Sequence, residues 1–306
     1  MESNLSRKVN HSSPMMETNT ADDDLIWNTT REYHKEPSAT YWLPKDEEEQ
    51  MRLTGLQFAV KELFKGNILP SVAKSLNFED NLAILDIGCG PGAWIMDMST
   101  DYPNCTYAGC DIADMIHDKI KPSQFTFQLG NITERLPYEN NTFELAQMRF
   151  FVACLRKDQW PDAIKEALRV IKPGGILQMI EIDLKKTEEL DPVVEKYMDA
   201  IYDECKARGQ DPRIVSKLES MLLNSCCELI ETSYQHIDFR SPSNSSKRFL
   251  WTWIQGAKST LPILGPKMGI HDKEAQNKFV SDLRHACLTT SSSMFIKAIV
   301  VQKLTD

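Results

Sequence analysis

The sequence predicts an α/β protein: an open, doubly wound sheet of seven mostly parallel strands, with an N-terminal helical extension and a helical insertion before the last strand. Three observations predict it. From residue 81 onward, short apolar runs alternate with helical stretches, the pattern of a parallel sheet whose faces are covered by helices. The first run leads into a helix through a turn that carries glycines at positions 88, 90 and 92. Two more apolar runs lie late in the chain, so the sheet can finish on an antiparallel, hairpin-like pair.

The elements follow in order. Residues 1–30 are rich in Ser, Asn, Thr, Asp and Glu and poor in large apolar groups; such a composition does not offset the entropy of ordering a backbone, and a disordered tail is expected. Apolar residues recur at helical spacing over 46–65 (Met51, Leu53, Leu56, Phe58, Val60, Leu63, Phe64), and Gly66-Asn67 and Pro70 end the segment. This predicts a helix within an N-terminal unit of residues 31–70. Strands are predicted at 82–87, 106–110, 125–129, 143–148 and 176–182, with helices at 93–100 and 159–171. A turn is expected at Lys172-Pro173-Gly174-Gly175. Repetition of strand, helix, strand implies right-handed crossovers and a doubly wound sheet. Helical segments at 192–208 and 213–225, a strand at 228–239, an insertion over 240–290 and a last strand at 294–302 complete a main domain of residues 71–306.

Composition narrows the function. With 306 residues, 42% of them apolar, the chain can bury a large core. A net charge of -9, from 44 acidic and 35 basic residues, disfavours a broad grip on nucleic acid or anionic lipid. No apolar run approaches the roughly 20 residues of a membrane span, and the polar amino terminus does not read as a signal peptide. Neither a membrane nor nucleic acid is expected as a partner. Eight cysteines show no metal-ligand spacing, so no metal is expected, and reduced thiols in the cytoplasm or nucleus are the natural reading.

The chemistry concentrates at Ile84-Leu85-Asp86-Ile87-Gly88-Cys89-Gly90-Pro91-Gly92-Ala93. Glycines between a strand and a helix allow a sharp turn and a close approach of ligand to backbone, and free amides at the helix start face that ligand. On this geometry alone a dinucleotide fits as well, since Gly88-x-Gly90-x-x-Ala93 matches a dinucleotide fingerprint. Asp86 shifts the balance: a carboxylate there opposes a diphosphate but can hold an ammonium group, which suits an amino-acid ligand. Asp111, at the end of the second strand, can accept both ribose hydroxyls of an adenosine.

Read in order, the downstream segments resemble those of class I S-adenosylmethionine-dependent methyltransferases, which have a Rossmann-like fold. Asp86 to Gly92 resembles their first motif and Gly109-Cys110-Asp111-Ile112 their second. Leu136-Pro137-Tyr138 with Asn141-Thr142-Phe143-Glu144-Leu145 is similar to their "LPF…FD" stretch, and Arg169-Val170-Ile171-Lys172-Pro173-Gly174-Gly175 to their "R-V-L-K-P-G-G". The resemblance implies S-adenosyl-L-methionine as cofactor, held by Asp86, Gly88, Cys89, Gly90, Gly92, Asp111, Ile112, Asn131, Ile132 and Met148. Asn131 replaces the family's usual Asp, and its amide oxygen can accept the same bond from the adenine amino group.

A second resemblance lies in Tyr41-Trp42-Leu43-Pro44-Lys45-Asp46-Glu47-Glu48-Glu49-Gln50-Met51-Arg52-Leu53, which is similar to the lead-in of fungal methyltransferases related to the velvet-complex regulator of secondary metabolism. It implies that 31–70 forms a helical lid with Tyr41 and Arg52 near the pocket; relatives often carry a histidine where this chain has Gln57. The fold commonly builds its substrate lid from the insertion, here 240–290, whose Arg248-Phe249-Leu250-Trp251-Thr252-Trp253 cluster reads equally as a helix packed on the core.

The expected activity is methyl transfer from S-adenosylmethionine to a small-molecule or protein acceptor. The alternative is a weakly active or inactive methyltransferase-fold regulator acting through a protein partner. An NAD-dependent oxidoreductase is a third reading. His117 and His236 titrate near neutrality, but a lone histidine is more often structural or exposed than catalytic, and no catalytic base is assigned.

Overall fold

The computed structural model describes residues 31–33, 40–117 and 121–305. The tail expected over 1–30 lies outside the described residues, as do 34–39 within the N-terminal unit. Helix α1 (Glu47–Phe64) opens where the Asp46 carboxylate accepts the Glu49 amide at 3.1 Å, and it closes at Lys65, φ 59°. A capping carboxylate of this kind contributes about 1 kcal/mol. Helix α2 (Pro70–Ser75) follows, then strand β1 (Ala83–Ile87), α3 (Ala93–Asp101), β2 (Thr106–Asp111), β3 (Phe125–Leu129) and β4 (Phe143–Arg149). After β4 come α4 (Trp160–Val170), β5 (Ile171–Asp183), α5 (Pro192–Ala207), α6 (Val215–Leu223), β6 (Cys227–Asp238), α7 (Asn244–Leu264), α8 (Lys273–Thr289) and β7 (Ser293–Lys303).

The expected α/β architecture is what forms: one seven-stranded sheet in the order β3-β2-β1-β4-β5-β7-β6. Strands β1 to β5 pair in parallel, and β7 runs antiparallel between β5 and β6. The last two strands are neighbours, but α7 and α8 separate them in the chain, so they form no tight hairpin. Alternation along the strands feeds two apolar layers. Ile84, Leu145 and Ile180 pack with side chains of α1, α3, α5, α7 and α8, whereas Leu85, Ile87, Met148 and Met179 pack with α4 and α6. Helix α4 shows how the pattern sets the face. Trp160, Ala163, Ile164, Ala167 and Leu168 are buried along one stripe, and Asp162, Lys165 and Arg169 occupy other positions.

One element departs from expectation. The turn expected at 172–175 is absorbed into β5, which begins at Ile171. Phe143 pairs with Ile171 but Leu145 pairs with Ile176, so the intervening residues form a bulge with Gly174 at φ 76°. Among the described residues, no helix is long and apolar enough to cross a membrane.

Candidate functional site

Parallel strands deliver all their carboxyl ends to one edge, the usual place for a ligand in an open α/β sheet. Here the ends of β1, β2 and β4, the loop after β3, and α1 and α7 line one cleft of about 270 Å3. Its floor is the glycine turn. The amides of Gly88 and Cys89 both donate to the Cys110 carbonyl of β2, at 2.7 and 3.1 Å, and the Gly92 amide donates to the Cys89 carbonyl at 2.9 Å. Gly88, Gly90 and Gly92 have φ of 69°, 53° and 77°, where a side chain is strained. The surroundings separate their roles. A β-carbon on Gly88 would lie 2.5 Å from the Phe151 ring, whereas one on Gly90 would meet nothing nearer than Leu53 at 3.8 Å. Gly88 is therefore glycine because the wall packs on it, and Gly90 leaves bare backbone open to the cleft. Gly92 caps α3 and does not line the cleft.

Two acids lie at this floor: Asp111 lines the cleft, whereas Asp86, immediately before the lining residue Ile87, does not. Asp86 is 2% exposed, and its Oδ2 has no partner among the described residues. Burial pushes its carboxyl up to about 7, with Arg149 pulling it down and Asp111 pushing it further up. Asp111 reaches back from β2: Oδ2 accepts the Gly90 amide at 2.9 Å and Oδ1 accepts the Ala113 amide at 3.1 Å. Burial raises it too, and those backbone donors counteract the rise. Each of its oxygens keeps a second lone pair for a hydroxyl.

Cys89, Ile112, Asn131 and Ile132 also line the cleft. The Asn131 oxygen, expected to accept from an adenine amino group, instead accepts the Thr133 amide at 3.1 Å and the Thr133 hydroxyl at 2.9 Å. It shapes its own turn, as Asn does after many strands. Met148 does not line the cleft; it is fully buried in the core layer under α4. The side-chain period of two explains the correction, because it is the next residue, Arg149, that faces the cleft.

Tyr41 and Arg52 line the upper wall. Arg52 is paired in bidentate fashion with Glu49, Nε to Oε2 at 2.9 Å and Nη2 to Oε1 at 2.6 Å, and Ser259 of α7 donates to the same carboxylate at 2.8 Å. This buried cluster ties α1 to α7. Gln57 bonds Asn67 Oδ1 at 2.7 Å and accepts from Arg149. Trp94 is both core and wall: it is buried, lines the cleft, and donates to the Asn67 carbonyl at 3.1 Å. From the aromatic cluster of the insertion, Phe249 is core and Trp251 packs against Gly55 of α1, whereas Thr252 and Trp253 line the cleft. His117 and His236 do not line it.

Sequence reasoning missed two residues. Arg149 is one, and its only signal was a lone cation at the end of an apolar strand. Glu181 of β5 is the other, a lone acid inside an apolar run. It is buried, and its carboxylate accepts the amides of Phe151 at 2.7 Å and Val152 at 3.2 Å, which holds the wall that covers Gly88. Burial pushes it up to about 8 against those two donors.

This set fits S-adenosyl-L-methionine. The unpartnered Asp86 oxygen suits an ammonium group, the open backbone at Gly90 admits close approach, and Asp111 suits a ribose diol. A diphosphate would instead face two carboxylates, which disfavours a dinucleotide.

Residues 84–175 match the family model described as a methyltransferase domain. The chain is similar to the secondary metabolism regulator LAE1 of Cochliobolus heterostrophus, 31% identical over 168 residues, covering 51% of this chain and 50% of that protein. It is also similar to methyltransferase str2 of Strobilurus tenacellus, 25% identical over 276 residues, covering 86% of this chain and 96% of that protein. The chain spans between about a third and a half of the length of the curated regulators it matches. Its fold is similar to that of phosphoethanolamine N-methyltransferase 2 of Haemonchus contortus, with a TM-score of 0.51 at 14% identity, over 85% of this chain and 60% of that one.

Proposed function

We propose that this chain, a class I S-adenosylmethionine-dependent methyltransferase related to the fungal regulators of secondary metabolism, methylates a small, largely apolar molecule in the cleft between its sheet and α1, α5 and α7. The observation that carries this reading is the cleft floor, where Asp111 accepts the amide of the open Gly90 backbone, with the buried Asp86 carboxylate, one oxygen unpartnered among the described residues, immediately before the lining residue Ile87 and within electrostatic reach of Asp111.

When bound, S-adenosylmethionine supplies a methyl carbon already made electrophilic by its sulfonium. The task left to this chain is to align an acceptor and exclude water. Helices α1 and α7 line the cleft, and Ile182, Leu184, Ile201, Trp253 and Met294 give it an apolar wall. The buried Trp253 indole N–H has no partner among the described residues, so it offers one donor to a polar atom of the acceptor. Among the described residues no His, Lys or Glu lines the cleft, and burial holds the proton on Tyr41. An acceptor that arrives as a neutral amine or an anion needs no base from the protein.

The half-length similarity to regulators favours a second reading, a regulator whose acceptor or partner is another protein. The cytoplasm or nucleus suits either, because reducing conditions keep Cys89, Cys110 and Cys154 as free thiols. The test is incubation with isotope-labelled cofactor and fractionated cell extract, followed by mass spectrometry. Label in a low-mass apolar fraction is expected. Label confined to protein would support the second reading, and failure to bind the cofactor at millimolar concentration would overturn the enzyme.

A further inference from the structure

Among the described residues two arginines line the cleft, and they differ in what their donors reach. Arg52 forms a bidentate ion pair with Glu49. Arg149 makes no ion pair among the described residues. Its Nη1 donates to the neutral Gln57 amide oxygen, its guanidinium carbon lies 5.8 Å from the centre of the Trp94 ring, and its Nε is enclosed with no hydrogen-bond partner. A cation taken out of water without an anion is costly, because neutral acceptors and ring faces replace only part of its hydration.

Asp86 acts on it electrostatically. Pairing of Asp86 with Gln147 in β1 and β4 puts Asp86 and Arg149 on the same face of the sheet. Each feels the other electrostatically, yet the two do not close into a salt bridge, and each keeps one enclosed atom without a partner. A base that lines the cleft and a neighbouring acid one residue before the lining residue Ile87, held apart and each with an unfilled bonding position, match a ligand that carries both charges on one carbon. The free end of an amino acid is such a group.

We infer that Arg149 receives the α-carboxylate of the cofactor's amino-acid end while Asp86 receives its ammonium, so that the pair reads the zwitterion as a unit. This rests on the cofactor assignment above and deepens it by naming the residue that recognises the carboxylate. Gln57 and Trp94 act on the cofactor through Arg149, holding its guanidinium against β4.

The test is calorimetric titration with three adenosyl thioethers: S-adenosylhomocysteine, its decarboxylated analogue and 5′-methylthioadenosine, which lacks the whole amino-acid end. With the unaltered protein, loss of the carboxylate should weaken binding by about 10- to 150-fold, the range for hydrogen bonds to charged groups. Arg149→Gln should weaken S-adenosylhomocysteine by a similar factor and leave the other two ligands unchanged, and Arg149→Lys should recover part of the loss. Equal weakening of all three ligands in Arg149→Gln would assign the residue a merely structural role and overturn the inference. Equal affinity of the unaltered protein for the first two ligands would overturn it without recourse to any variant. If the unaltered protein bound 5′-methylthioadenosine but did not prefer either longer ligand, only this inference would fail; if it bound none of the three, the cofactor assignment would fall with it.

Discussion

Replacing Asp86 by Asn should stabilise the free protein, and more so as the pH rises. The carboxyl of Asp86 is pushed up to about 7 by burial, against about 3.9 in an unfolded chain. For an acid raised in the folded state, the unfolded chain releases its proton first. Stability is therefore complete below about pH 4 and is lost progressively up to about pH 7. Integrating between those values gives a loss of about 1.5 kcal/mol at pH 5 and about 4 kcal/mol at pH 8. The asparagine carries no such penalty. The advantage of Asp86→Asn over the unaltered protein should grow by about 2 to 3 kcal/mol from pH 5 to pH 8, whatever constant cost the unpaired amide adds. Urea unfolding without cofactor at both pH values measures this. The unaltered protein should gain affinity for S-adenosylhomocysteine between pH 6 and pH 7.5 as Asp86 ionises, and the same substitution should abolish that rise. An advantage that stays constant or shrinks with pH would refute the claim that Asp86 is buried without a partner.

Three more outcomes follow from the site. The glycines should separate by readout. Gly90→Ala, with open space around its β-carbon, should cost only about 1 to 2 kcal/mol of stability for its left-handed backbone, yet weaken the cofactor by about 5- to 150-fold through overlap; Gly88→Ala, facing the Phe151 ring at 2.5 Å, should lower the melting temperature more. Asp111→Ala should weaken S-adenosylhomocysteine by about 1 to 3 kcal/mol by calorimetry, and an unchanged dissociation constant would show the ribose to lie elsewhere. Glu181→Ala leaves the Phe151 and Val152 amides without their acceptor and should cost about 2 to 6 kcal/mol in chemical denaturation near pH 4, a cost that shrinks as the pH rises toward 8 because the substitution also removes a carboxyl that burial raises to about 8.

Much of the site was legible because the topology does the gathering. Once β1 and β2 are recognised as parallel neighbours, Asp86 and Asp111 must reach the same edge, and the glycine turn between β1 and α3 must lie between them. What resisted prediction depended on facing and pairing. The choice between Met148 and Arg149 rested on a one-residue parity that shifts every side chain to the other face. The engagement of Asn131 with Thr133, and of Glu181 with the Phe151 and Val152 amides, depends on hydrogen bonds that residue identities do not announce. The contact between α1 and α7 is of the same kind: Gly55 reads as a neutral helix position until the Trp251 ring is seen against it.

The sequence by itself determined the order of the elements, the doubly wound sheet and the acidic, glycine-floored edge, because periodicity, turn residues and right-handed crossovers are local constraints. Only the tertiary structure decided which charges are paired. Arg52 meets its anion three residues away on its own helix, whereas Arg149, brought to Asp86 by strand pairing, is left with an unfilled donor. Pairing across a sheet depends on register and distance, and those exist only after the chain has folded.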